Sequence, residues 1–517
     1  MNDSTLPLQG GRIGIERETL RTTADGHLAR TPHPQALGST FTHPRITIDY
    51  GEALLEFVTN AHASAADAHA ELLTLTRYTA QNIGDEYLWP ASMPCILPER
   101  DEDIAIGYFG TSNSGKIKRL YREGLAHRYG RPMQMIAGIH YNYSPPPALF
   151  DHLAAADGRL NDAHYRNERY MGMLRSLQRH SWLLCYLYGA SPAVHDSFRP
   201  GRGLLHPFGN DTLGWHYATT LRMSQLGYQN KTDFTVSFND LDTYIRDLIA
   251  AVMTPAPAFE YLGLKNPDGT YKQISTHILQ IANEYYTAAR PKQPVKRGEH
   301  PEIALSERGI AYVELRIMDV NPYDPAGISL AQMHVLETFL LWALLHPAPA
   351  FAHDAMNELN SNRVRAACCG LTPDIELSDH GTPRPARQWA QDILRAMQPI
   401  AEALGATHEK HLADLIDALD NGQVPLAQHV HQDIKAQGHI AWAQALAAAH
   451  RPTLLEALDS ETKARLDAER EQSLAQYAAL EAAADGQIPF EEYLAHYFDP
   501  LKAWRKQHQA ACGVARK

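Results

Sequence analysis

The chain has 517 residues, 44% hydrophobic, 21% charged and 9% aromatic, with 33 glycines and 32 prolines. That composition excludes wholesale disorder and a collagen-like or low-complexity chain, and the length allows two to four domains or one large enzyme body with an appendage. The 59 acidic and 47 basic side chains give a formal charge of −12 with no basic run longer than a few residues, which leaves a nucleic-acid partner without its main source of affinity.

The predicted elements follow in chain order. Residues 12–19 alternate as a strand, with Ile13 and Ile15 on one face and Glu16 and Glu18 together on the other. Residues 46–49 and 54–59 are two more strand-like runs; Leu55 and Phe57 share a face and Glu56 takes the opposite one, shortly after Asp49. Residues 65–82 read as an amphipathic helix. The segment 110–116 fits GxxxxGK, but Ile117 stands where a Ser or Thr would bind Mg²⁺ and no βαβ context precedes it. It is therefore read as a glycine-rich loop entering a helix at 116–125, whose N-terminus favours anions. Residues 139–144 put His140 and Asn142 on one strand face. Residues 165–188 read as one helix, apolar all round and buried over 183–188. In 312–317, Val313, Leu315 and Ile317 oppose Glu314 and Arg316.

The stretch 335–345 is apolar, too short to span a bilayer, and contains Glu337. Pro347, Pro349, Pro373, Pro383 and Pro385 then punctuate a boundary, beyond which Ala, Gln, Leu, Glu and His dominate at helical spacing, notably over 389–404 and 462–480. The division expected is 1–347 for one body and 348–517 for a mainly helical C-terminal region packed on it. His408, His411, His429 and His431 fall in that region; HEKH at 408–411 lacks HExxH spacing, and all four are read as solvated helix-face histidines. The five cysteines (Cys95, Cys185, Cys368, Cys369 and Cys512) show no CxxC spacing, and adjacent Cys368 and Cys369 suit no ordinary disulfide, so they are read as structural thiols of a reducing compartment. With no secretory pattern in the opening MNDSTLPLQGG, the expected location is the cytoplasm, with no membrane partner.

For any single strand, a polar face is what a half-exposed antiparallel sheet shows anyway. Across four strands the residue types matter. Carboxylates are depleted in strands, yet the polar faces carry Glu16, Glu18, Glu56 and Glu314, with Asp49 close by, His140 and Arg316. Clustered, they repel unless cations neutralise them. Mg²⁺ and Mn²⁺ take oxygen ligands with an occasional imidazole and are shared with substrate phosphates. The pattern points to a sheet face that beds two or more Mg²⁺ ions under a nucleoside triphosphate.

IERETLR (15–21), DYGEALLEFVT (49–59), YREGLAHRYG (121–130), GIHYNYS (138–144), YGASPA (188–193), LRMSQLGYQNK (221–231) and YVELRIMDVNPYDP (312–325) together resemble the glutamate–cysteine ligase family of γ-proteobacterial type, densely over 10–345 and faintly near 481–496. The resemblance implies an α+β fold like that of glutamine synthetase: a curved antiparallel sheet with outer helices, here followed by the helical C-terminal region. It implies that ATP phosphorylates the γ-carboxylate of L-glutamate and that L-cysteine attacks the γ-glutamyl phosphate, giving γ-glutamylcysteine in the first step of glutathione biosynthesis. It implies Glu16, Glu18, Asp49, Glu56, His140 and Glu314 as ligands of two or three Mg²⁺ ions (Mn²⁺ as an alternative), Arg316 and Arg122 on phosphate, and Arg222 on the glutamate carboxylate. Asn142 would touch substrate or metal, and Tyr50, Gln134, Tyr121, Tyr228 and Tyr286 would form the cysteine pocket of a monomeric enzyme. Tyr50 stands where relatives often carry Phe. The rival readings are a γ-glutamyl ligase of the same fold acting on another amine, a catalytically dead relative, and a metallohydrolase.

Overall fold

The computed structural model describes residues 6–512 except 297, 353–354 and 485–486, and leaves aside the side chains of Pro425 and 509–512. The first five residues, part of the opening read for a secretory pattern, and the Cys512 side chain thus lie outside the described residues. Among the described residues the strands are β1 (Arg12–Thr22), β2 (Ile46–Ile48), β3 (Leu54–Val58), β4 (Tyr87–Leu88), β5 (Ile139–Ser144), β6 (Ala193–His195), β7 (His206–Gly209), β8 (Thr212–Gly214), β9 (Ala289–Lys292), β10 (Tyr312–Met318), β11 (Glu376–Asp379) and β12 (Thr382–Pro385).

The principal sheet runs β2-β3-β1-β5-β10-β9, with β4 pairing β1 off this path, and its pairs are antiparallel. Its formation follows from the alternation: Ile13, Ile15, Leu55, Phe57, Tyr141, Tyr143, Val313 and Leu315 are all buried on one side. Helices Ala65–Ala80, Ala163–Arg179, Ser181–Tyr188 and Leu330–Leu345 pack behind that face and behind one another. Leu330–Leu345 opens with a Ser329/Gln332 capping box and is buried nearly throughout, so its apolar run is core; no described helix is long and apolar enough to cross a membrane.

Three expectations change. The single helix over 165–188 is two, because His180 leaves helical geometry (φ −103°, ψ 12°) and turns its ring onto the Ser176 carbonyl at 2.9 Å. The helix expected at 116–125 spans Asn113–Tyr129, capped by Ser112, whose hydroxyl accepts from Gly115 N–H at 3.2 Å, and ended by Gly130 at φ 84°. His408 and His411 are half-buried against a neighbouring helix rather than freely solvated. Helix Ala406–Asp420 lies on Leu330–Leu345, which sets His408 Nε2 3.0 Å from Glu337 Oε2 and His411 Nδ1 3.0 Å from His334 Nδ1. The helix expected at 389–404 forms as Ala386–Leu404, burying Trp389, Ile393, Met397, Ile400 and Leu404.

Candidate active site

Strand register assembles the acidic face. Opposed residues of an antiparallel pair share a face with Cβ atoms ~4.5–5.5 Å apart. Glu16 opposes His140, Glu18 opposes Glu56, Glu314 opposes Asn142 across β5–β10, and Arg290 opposes Glu314 across β9–β10. Asp49 follows β2 at the turn into β3. Above this face lies a cavity of about 440 Å³, lined by Glu16, Glu18, Asp49, Glu56, His140, Glu314, Arg316, Arg122, Arg222, Tyr50, Tyr121, Gln134, Tyr228 and Tyr286 among others. Every site residue expected from the sequence is in that set except Asn142, whose side-chain amide donates to Glu16 Oε1 at 3.0 Å from beside the floor.

The carboxylates form two groups. In the first, His140 Nδ1 is 2.8 Å from Glu16 Oε2, and ligand atoms of Glu16, His140 and Glu314 lie within 4.8 Å of one another. Burial opposes ionisation of Glu314, but Arg316 at 2.8 Å and Lys292 at 3.0 Å hold its carboxyl well below the usual range. Burial and the Arg316 charge lower His140, leaving the neutral imidazole that metal binding requires. In the second group, Glu18 accepts from Gly138 N–H at 2.7 Å, and burial with the Asp49 charge pushes it up to about 8. Glu56 is pushed well above its ordinary value by burial and by Asp49, Glu16 and Glu18. In the second group the neighbouring carboxylates repel one another, and the set of carboxylate oxygens with one imidazole suits hard divalent cations.

The cavity is equally rich in cations, yet acids and guanidiniums are mostly kept apart. Arg316 pairs with Glu314. No described carboxylate forms an ion pair with Arg122, Arg222, Arg290 or Arg363, which also line the cavity. Arg122 donates to the Asp49 carbonyl and lies 4.3 Å over the Phe109 ring. Arg222 donates to the Arg316 carbonyl at 2.9 Å. Tyr228 donates to the Ile136 carbonyl at 2.7 Å and its ring is 5.2 Å from that of Tyr286, to whose hydroxyl Gln134 donates at 3.5 Å. Burial keeps Tyr50, Tyr121, Tyr228 and Tyr286 neutral. With divalent cations on its carboxylates such a cavity would neutralise a polyphosphate, and its arginines can grip carboxylates or phosphates.

Sequence reasoning missed Arg290 and Lys292, whose alternation in β9 (Ala-Arg-Pro-Lys) was the available signal; Pro291 is tolerated because β9 is the sheet edge. It also missed Arg363 and Tyr497, brought in from the C-terminal region. The GxxxxGK loop is occupied by the protein's own Glu481: Thr111 N–H donates to both Glu481 oxygens at 2.9 Å, the Thr111 hydroxyl donates at 2.8 Å and Ser112 N–H at 3.3 Å.

The sequence matches the glutamate-cysteine ligase family over residues 1–366. It is 43% identical to a glutamate–cysteine ligase of Alcanivorax borkumensis over 96% of this chain and 97% of that protein, and 43% identical to one of Pseudomonas fluorescens over 90% of each. The structure resembles a crystal structure of a glutamate–cysteine ligase from Francisella tularensis in complex with AMP (TM-score 0.89, 33% identity, 96% of this chain and 99% of that one). A bifunctional glutathione synthetase from Pasteurella multocida shares the fold at TM-score 0.67 and 24% identity, over 86% of this chain and 53% of that one.

Proposed function

The chain belongs to the glutamate–cysteine ligase family, joining L-glutamate to L-cysteine in the first step of glutathione biosynthesis, and from that premise we propose how its cavity does so. ATP phosphorylates the γ-carboxylate of L-glutamate, the α-amino group of L-cysteine attacks the γ-glutamyl phosphate, and γ-glutamylcysteine, ADP and phosphate leave. The observation that carries this reading is the convergence of Glu16, Glu18, Asp49, Glu56, His140 and Glu314 with Arg122, Arg222, Arg290 and Arg316 in one cavity.

Glu16, Glu18, Asp49, Glu56, His140 and Glu314 would hold two or three Mg²⁺ ions, with Mn²⁺ able to replace them, and these supply charge neutralisation to the triphosphate and the transferring phosphoryl group. Arg316, oriented by its 2.8 Å bond to Glu314, meets the γ-phosphoryl oxygens, and Arg122 a second phosphate. Arg222 holds the α-carboxylate of glutamate. Tyr50, Tyr121, Gln134, Tyr228 and Tyr286 form the cysteine pocket, where neutral hydroxyls orient the amine. Asn142 fixes Glu16. The reading takes 1–347 as the catalytic body and 348–517 as a helical region packed on it, in a cytoplasmic monomer.

Purified protein offered ATP, Mg²⁺, glutamate and a panel of amines tests the proposal. Cysteine should give the highest kcat/KM, ADP should form only when both glutamate and an amine are present, and Glu314→Gln and Glu16→Gln should abolish ADP release. A better amine than cysteine would make this a different γ-glutamyl ligase, and glutamate-independent ADP release would make it a hydrolase.

A further inference from the structure

Arg363 sits on helix Ala355–Cys369, beyond the strands that build the sheet, yet the residue is only 7% exposed and lines the active cavity. Its helix is fixed in place. Thr219 and Thr220 N–H donate to the Ala367 carbonyl at 2.9 and 3.2 Å, and Asn362 exchanges bonds of 2.7 and 2.8 Å with Ser378 of β11. The first of these ties binds the helix to the segment that carries Arg222, two residues on.

The guanidinium has no partner that explains its burial. Nε is enclosed with no hydrogen-bond acceptor, and no described carboxylate forms an ion pair with it. The ionisable groups that act on it are Cys185 and Tyr285, and burial pushes both up to about 12, so neither is an anion near neutrality. A guanidinium buried without an anion is unfavourable, and the natural compensation is an anion that arrives with the ligand.

Position narrows the choice. The tie from Thr219 and Thr220 to the Ala367 carbonyl sets the helix of Arg363 beside the segment of Arg222; both arginines line the cavity and both act on Cys185. The phosphate end already has Arg316 and Lys292 beside Glu314. Arg222, by contrast, commits one terminal nitrogen to the Arg316 carbonyl at 2.9 Å and the other to Met223 Sδ at 3.3 Å, while its Nε is enclosed without an acceptor. With one hydrogen of each terminal nitrogen engaged, Arg222 divides its donors between the protein and any carboxylate it meets. We propose that Arg363 is a second guanidinium on the α-carboxylate of L-glutamate, adding its donors to those that Arg222 still has free. The assignment rests on the ligase reading above.

The experiment compares wild type, Arg363→Met and Arg363→Lys as full chains with Mg²⁺. A charged hydrogen bond is worth about 1.5–3 kcal/mol, so the KM for glutamate should rise roughly 10- to 150-fold in R363M while those for ATP and cysteine hold, with partial recovery in R363K. Because the charge is unpaired in the free protein, ligand-free R363M should melt no lower than wild type, which a merely structural arginine would not allow. Glutamate-induced thermal protection, read without ATP or cysteine, should be lost in R363M. A raised KM for ATP instead, a lower melting point with unchanged KM, or retained glutamate protection would each overturn the assignment. Wild-type protection that R363M lacks would uphold it even if cysteine proved to be the wrong amine.

Discussion

Glu481 reaches from the C-terminal helix Ser460–Ala482 to Thr111, whose backbone N–H lies 2.9 Å from each oxygen of its carboxylate. A glycine-rich loop that could cradle a phosphate is thus filled by the protein's own anion, and a Cβ at Gly110 would fall 2.4 Å from that carboxylate. The helix that follows, Asn113–Tyr129, carries Tyr121 and Arg122.

Removing this clasp should therefore loosen the cavity wall from a distance. Glu481→Ala is expected to lower stability by about 1–2 kcal/mol and to reduce kcat/KM several-fold, with Glu481→Gln intermediate; urea unfolding and steady-state kinetics give both. Burial opposes ionisation of Glu481, but bonds from Thr111 and Ser112 and the Lys116 charge hold its carboxyl below the ordinary value. The clasp's stabilisation is accordingly complete above the unfolded pKa of ~4.5 and fades as pH falls through the lower folded value. Identical acid profiles for wild type and E481A would contradict it.

Asn142 acts through Glu16 rather than from the cavity lining. Partners of metal ligands typically contribute 10–100-fold in metal affinity or activity. Asn142→Ala should raise the Mg²⁺ concentration for half-maximal activity by roughly that factor, while the KM for cysteine stays put. An unchanged Mg²⁺ titration would make Asn142 a bystander.

Tyr50 is 1% exposed, lines the cavity, and its hydroxyl has no hydrogen-bond partner among the described residues. Tyr50→Phe should cost no stability, since it removes an unsatisfied polar group. If the hydroxyl meets the incoming amino acid, the KM for cysteine should rise about fivefold, equivalent to ~1 kcal/mol, with those for glutamate and ATP unmoved. Equal kinetics for the two forms would remove Tyr50 from the pocket.

Burial lowers six imidazoles, His33 to about 3 and His43, His180, His334, His439 and His450 to about 4. The folded state keeps them neutral where the unfolded chain, near 6.5, already binds protons. Stability must then rise with pH across the window from about 4 to 6.5. Glu302, Glu18 and Glu56, raised chiefly by burial, pull the other way but are fewer. The urea midpoint should climb between pH 4.5 and 6.5, and a flat profile would show that these rings are solvated.

The acidic floor was legible because strand alternation fixes which side chains share a face, and Glu16, Glu18, Glu56, His140 and Glu314 needed only register to meet. The arginine wall was half legible. Arg316 lies on a long strand, whereas Arg290 and Lys292 lie on a four-residue edge strand interrupted by Pro291. Arg363 left no local trace, since its place depends on how a distant helix docks on Thr219 and Thr220. The helical spacing around HEKH was plain, but which neighbour it met was not; only the packing of Ala406–Asp420 on Leu330–Leu345 half-buries His408 and His411.

β10 sits between β5 and the edge strand β9 although it is the last of the three to be synthesised. While a ribosome is still extending the chain, Glu16 and His140 have emerged but Glu314, Arg316 and the strand that carries them have not. A nascent chain that stops short of β10 therefore has neither Glu314 nor Arg316 with which to complete the floor. Translation must pass β10 before the floor can close.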